Sequence, residues 1–125
     1  MATKLTQVAV QKMIDGIYGT SITAPTYIGW GTGTTAAAVT DTALQTPSAE
    51  SRTNGTKSKV TTTFSNDTLQ VTGTVTSSSS QTISEAALFD ASTSGNMYVR
   101  GTFTGIPLGN GDSIAFTVTQ TIATS

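Results

Sequence analysis

The chain has 125 residues, which suits one domain, and only 10% of them are charged, with a formal net charge of −1. Without a basic surface, the electrostatic attraction that dominates nucleic-acid binding is missing, so we expect no nucleic-acid partner. Cys and His are both absent. This excludes disulfides, thiolate metal sites and histidine-based catalysis. We therefore expect no cofactor, no metal site and no catalytic residue, and a protein that is not an enzyme.

The composition is dominated by Thr and Ser, which together supply 42 of the 125 residues. Thr is β-branched and favours pleated, half-buried surfaces, so many strands around a thin core are expected. No apolar run approaches the 18 residues of a membrane span, and no signal peptide is recognisable. We expect no membrane contact and synthesis in the cytoplasm.

The N-terminal segment has apolar residues at helical spacing, which predicts a short helix from an N-cap at Thr3 to about Ile14. Residues 7–10 also alternate, so an extended arm is the alternative. Because the segment is more apolar than a free tail needs, we expect 1–25 to be an arm that binds a partner and 26–125 to be the main domain. The candidate partner-binding residues are Leu5, Val8, Val10, Met13, Ile14 and Ile17.

A strand is predicted over Thr26–Trp30, followed by a long surface loop over residues 32–47, and Asn54-Gly55 is a strong turn dipeptide. Three glycines recur at every second position around Trp30, but no Gly-Lys-Ser/Thr sequence follows to form a phosphate loop. We interpret them as a strand end where another backbone approaches closely. These structural-motif glycines are Gly29, Gly31 and Gly33.

Apolar residues alternate through most of the second half of the chain, with turns expected near residues 66–67, 77–80, 93–96 and 107–112. The first strand of this alternating region places Val60, Thr62 and Phe64 on one face. Six or seven short strands indicate an all-β fold, an antiparallel β-sandwich or jelly-roll-like domain with a short N-terminal helix or arm. The predicted core comprises Phe64, Leu69, Val71, Leu88, Phe89, Val99, Phe103, Ile114, Phe116 and Val118.

The acidic residues Glu85 and Asp90 stand beside an apolar cluster. One interpretation is that the two residues form a catalytic carboxylate pair. The interpretation we favour is structural: Glu85 pairs with an arginine at the sheet edge, and Asp90 caps the turn that leads to Gly95. The aromatic side chains are expected to be core or interface anchors, with a sugar-stacking platform as the alternative. They are Tyr18, Tyr27, Trp30 and Tyr98.

Two segments resemble phrases common in small virion proteins of tailed bacteriophages. Residues 28–35, IGWGTGTT, followed by DTAL at 41–44, are similar to one phrase. Residues 83–90, ISEAALFD, resemble another, with Ala87 where that family often has Gly. The following Arg-x-x-Phe strand is matched by Arg100 to Phe103. The resemblance assigns Glu85 and Arg100 to the structural motif of such a module.

The resemblance implies a virion structural protein and fits both capsid decoration proteins and tail-fibre-associated proteins. A single module with one short arm favours a capsid decoration (cement) protein on the outer capsid surface, made in the bacterial host cytoplasm. Its expected partners are the major capsid protein and copies of itself, possibly as a trimer. The alternative is a tail or tail-fibre-associated structural or receptor-binding module.

Overall fold

Two antiparallel sheets face each other in the computed structural model, which describes residues 2–122. The fold is an all-β sandwich with one N-terminal helix in the described part, which confirms the predicted fold class. The elements in chain order are β1 Ala2–Leu5, α1 Gln7–Tyr18, β2 Tyr27–Gly31, β3 Thr53–Asn54, β4 Thr56–Val60, β5 Thr68–Thr76, β6 Gln81–Phe89, β7 Met97–Leu108 and β8 Ser113–Thr121.

The larger sheet has the strand order β1-β7-β6-β2-β3, and the smaller has the order β4-β5-β8. The chain passes from one sheet to the other at Gly55, between β3 and β4, where the sequence predicted a turn. A Cβ atom at Gly55 would lie 2.7 Å from the carbonyl oxygen of Thr72 and from a methyl group of Val71. Glycine is therefore needed here because the two sheets meet around it, and the turn prediction for Asn54-Gly55 is wrong.

The N-terminal helix begins at Gln7 with Thr6 as its N-cap, so the predicted N-cap at Thr3 is wrong. The buried Thr6 hydroxyl accepts a hydrogen bond from the Ala9 N–H (3.1 Å) and donates one to the Met97 carbonyl (2.6 Å). Thr3 instead lies in β1, which pairs with β7. Part of the predicted arm is thus a strand of the larger sheet, because tertiary pairing extends the chain before the helix starts.

The predicted core is partly confirmed. Val71, Leu88 and Val99 are buried in the main cluster, whereas Phe89 is buried in a second, smaller one. Five others are half-buried against the main cluster, namely Leu69, Phe103, Ile114, Phe116 and Val118. The prediction that Phe64 belongs to the core is wrong, since 49% of its surface is exposed. Strand β4 ends at Val60, and the Asp67 carboxylate accepts hydrogen bonds from the N–H groups of residues 62–64, which draws them into a turn.

Candidate protein-binding surface

Helix α1 is apolar on two sides. On one side Ala9 is fully buried and Met13 packs against the core between the sheets, as does Leu5 of the preceding strand β1. On the other side Val10 and Ile14 remain about half exposed. A surface helix of a monomeric protein normally has one apolar side, which packs against the core. The folding of this chain therefore does not explain the second apolar side.

The exposed side forms a stripe of four residues, here called the helix stripe: Val10, Ile14, Ile17 and Tyr18. Their exposed fractions are 48%, 59%, 83% and 87%. Of the six residues predicted to bind a partner, the structure places Val10, Ile14 and Ile17 on this surface, whereas Leu5, Val8 and Met13 are half-buried. Tyr18 was missed as part of it. It lies four residues after Ile14, and continuing the helical spacing beyond Ile14 would have found it.

A charged pair lies buried inside the larger sheet. Glu85 on β6 is fully buried and Arg100 on the neighbouring β7 is 2% exposed, and the guanidinium Nη2 lies 3.0 Å from Glu85 Oε1. Pairing of Glu85 with an arginine was predicted, but at the sheet edge. It occurs instead on the central strand, because β6 lies between β7 and β2.

The same pair holds the loop over residues 32–47. Glu85 accepts hydrogen bonds from the backbone N–H groups of Gly33, Gln45 and Thr46, at 2.9, 2.9 and 2.7 Å. Arg100 donates to the Thr35 carbonyl and to Asp41, at 2.9 and 3.0 Å. A loop with few large apolar residues is thereby fixed over the sheet by polar contacts.

The glycines of β2 and the residues that follow lie against these groups. A Cβ atom at Gly31 would overlap the Thr46 carbonyl, and one at Gly33 would overlap the Glu85 carboxylate. At Gly29 a Cβ would meet the Phe89 ring and the Arg52 side chain at 3.2 and 3.3 Å. The group that approaches Gly31 most closely is thus a backbone carbonyl, whereas the group that approaches Gly33 most closely is the buried carboxylate.

Burial raises the pKa of the Glu85 carboxyl, but the three backbone N–H groups and Arg100 outweigh this effect and lower the pKa below its ordinary value. Glu85 is therefore an ionised, fully hydrogen-bonded anchor. Asp90, in contrast, accepts hydrogen bonds from the backbone and side-chain nitrogens of Asn96, at 2.8 and 2.9 Å. The two carboxylates thus serve separate structural roles and contact different groups.

The aromatic side chains do not form a common platform. Trp30 and Tyr98 are 2% and 3% exposed, so neither ring can stack on a sugar. The Trp30 indole N–H instead donates to Glu50 at 2.9 Å. Glu50 also accepts hydrogen bonds from the backbone N–H and hydroxyl of Ser78 and from Gln81.

These contacts predict an acid-dependent contribution of Glu50 to stability. Partial burial raises the pKa of Glu50, but the hydrogen bonds from Ser78, Trp30 and Gln81 outweigh it and lower the pKa from 4.5 to about 2. A carboxyl whose pKa is lower in the folded state stabilises the fold above its unfolded pKa and loses this effect as the pH falls through the folded pKa. Glu50→Gln should therefore lower the thermal midpoint at pH 7, and the gap to the wild type should close between pH 4.5 and about 2. A gap that stays constant over that range would contradict the assignment.

Among residues 2–122, no helix is long and apolar enough to cross a membrane. Nor does this part of the chain contain a group of three or more acidic side chains placed to hold a metal ion.

A β-sandwich whose loop is fixed by a buried ion pair, with no group of acidic side chains placed to hold a metal among the described residues, has the features of a structural domain. The family model described as podophage GP4 fiber I protein gp80 matches residues 4–124. The chain therefore belongs to this Gp80 family and is a bacteriophage structural protein of the virion. No curated protein and no solved structure matches it significantly.

Proposed function

We propose that this protein is a non-enzymatic fibre subunit of a tailed phage, which acts by binding neighbouring virion proteins and further copies of itself. The observation that carries the proposal is the family match over residues 4–124 to a fibre protein. That match supports the tail-fibre alternative better than capsid decoration, and nothing in the comparisons supports a cement role or a contact with the major capsid protein.

The helix stripe is the proposed contact surface. Val10, Ile14 and Ile17 are spaced by four and then three residues, which is the spacing of a coiled-coil seam. The exposed neighbours Gln11 and Tyr18 add no charge beside the seam. Such a seam is complementary to another copy of itself. Ile14 and Ile17 occupy the two types of seam position, and Ile at both types favours three or four helices over two. A trimer held partly by α1 is consistent with these residues.

Deletion of the N-terminal segment would be a poor test, because it also removes β1 and the buried Ala9. A point substitution separates binding from folding. Ile14→Lys places a charge in the stripe at a position that is 59% exposed, so the free energy of unfolding should change by about 0.5 kcal/mol or less. The control is Thr74→Lys, which adds the same charge to an exposed position of β5, outside the helix.

The measurement is incorporation of tagged protein into virions lacking the endogenous copy, followed by gold labelling of the tag in electron micrographs. We expect label on fibres with the wild type and Thr74→Lys, and virions without label with Ile14→Lys. Label over the head would favour capsid decoration and overturn the fibre assignment. Normal incorporation of Ile14→Lys would show that the stripe is not the contact surface.

A further inference from the structure

A second surface of interest lies along strand β8, which is an edge strand of the three-stranded sheet. Its nine residues, Ser113–Thr121, pair with β5 on one side. On the other side, no strand within residues 2–122 pairs with it. A free edge of this length presents backbone N–H and C=O groups that can pair with a further strand.

The other free edges of the molecule carry features that discourage such pairing. Strand β4 has exposed Lys57 and Lys59, and the four-residue β1 has exposed Lys4. Strand β3 has only two residues, and the part of β7 beyond its pairing with β1 contains Pro107, which lacks an N–H. In contrast, β8 contains no charged residue, no Pro and no Gly. Among the described strands, β8 is therefore the long free edge that has no feature to discourage pairing.

A cavity of about 230 Å³ lies beside this edge. It touches four consecutive residues of β8, from Phe116 to Thr119. The space therefore borders β8 along the middle of its free edge. On its far side the space is bounded by Thr3 on β1. We call this space the edge channel.

The floor of the edge channel is formed by the larger sheet. Val99, Gly101 and Phe103 of β7 line it, together with Ala86 of β6. Phe103 and Phe116 are only half-buried, with ring centroids 6.5 Å apart. A strand added next to β8 would cover this apolar floor while its backbone paired with the free edge.

We propose that the edge channel accepts an extended, uncharged segment of another polypeptide chain, which pairs with β8 as a fourth strand of the smaller sheet. The unpaired backbone of β8 requires an extended partner, and the uncharged strand and apolar floor require a segment that buries no charge. Alternating apolar residues of the segment would face Val99 and Phe103. This surface differs from the helix stripe, and the proposal does not depend on the fibre assignment.

The test uses the purified full-length protein and a capped peptide of alternating Val and Thr, equal in length to β8, with two lysines outside the pairing region for solubility. The control peptide has the same sequence with every second residue N-methylated, so that one of its edges cannot donate hydrogen bonds. Hydrogen exchange of the backbone amides of 113–121 is the measurement. The unmodified peptide should slow exchange of the outward amides by about tenfold or more at saturation, and the methylated peptide should not.

A charged variant tests the channel itself. Val118→Lys places an ammonium group in the edge channel and should abolish the protection, whereas Thr74→Lys, on an exposed position of the neighbouring β5, should leave it unchanged. Equal protection by both peptides, or none from either, would overturn the proposal on the wild-type protein alone. If the purified protein is an oligomer whose β8 amides are already protected, and Val118→Lys dissociates it, the occupant is a second copy and the proposed partner is wrong.

Discussion

Replacing Arg100 with Met is expected to lower the free energy of unfolding by about 3–5 kcal/mol, the effect of breaking a buried ion pair by removing one partner. The Glu85 carboxylate would stay fully buried without its countercharge. The loop over residues 32–47 would also lose its bonds from Arg100 to Thr35 and Asp41. Chemical denaturation monitored by tryptophan fluorescence measures the change, since Trp30 lies on β2, which pairs with the strand β6 that carries Glu85.

Two further variants separate charge from packing. Lys59→Met removes a positive charge from an exposed position of β4 and should change stability by about 0.5 kcal/mol or less. Combining Arg100→Met with Glu85→Gln removes both charges and should recover part of the loss, because no uncompensated charge is then buried. A double variant less stable than Arg100→Met alone would mean that the hydrogen bonds of Glu85 to the loop, and not its charge, dominate the effect.

The sheet strands of the second half could be predicted from the sequence because polar and apolar residues alternate there. The importance of Glu85 and Arg100 was also visible, through their place in a resembling motif. Their burial was not, because a sequence does not say which strand is central. Glu85 was predicted to lie at an edge, whereas three backbone N–H groups of a distant loop make its burial possible.

The helix stripe could also be predicted from the sequence only in part. The apolar content of the N-terminal segment indicated a binding surface, but residues on both sides of α1 are apolar. Ala9 and Met13 cannot be told from Val10 and Ile14 until the position of the helix on β7 is known. The N-cap error has the same origin. Thr3 and Thr6 are both acceptable caps, and the choice is made by the Thr6 hydroxyl bonding to the carbonyl of Met97, 91 residues away.

Trp30 and Phe64 give the clearest comparison between the predicted and the observed core. Trp30 was expected to be a core or interface anchor but was not among the predicted sheet-core residues. It is 2% exposed, packs edge-on against Phe116 at 6.3 Å and donates to Glu50. Phe64 was inside that prediction and is 49% exposed in a turn. Trp30→Ala should therefore cost about 3–5 kcal/mol, since it leaves a cavity between the sheets and removes a donor from the Glu50 carboxylate.

Phe64→Ala is the matched aromatic control and should cost about 1 kcal/mol or less, because its ring is half in solvent. For a chain of this size 1 kcal/mol corresponds to a few degrees, so thermal midpoints measured by circular dichroism should fall by roughly 10 °C or more for Trp30→Ala and by a few degrees at most for Phe64→Ala. If Phe64→Ala were the more damaging substitution, the strand through residues 60–64 predicted from the alternation would be correct. The turn held by Asp67 would then be wrong, since a strand there would point Phe64 into the core.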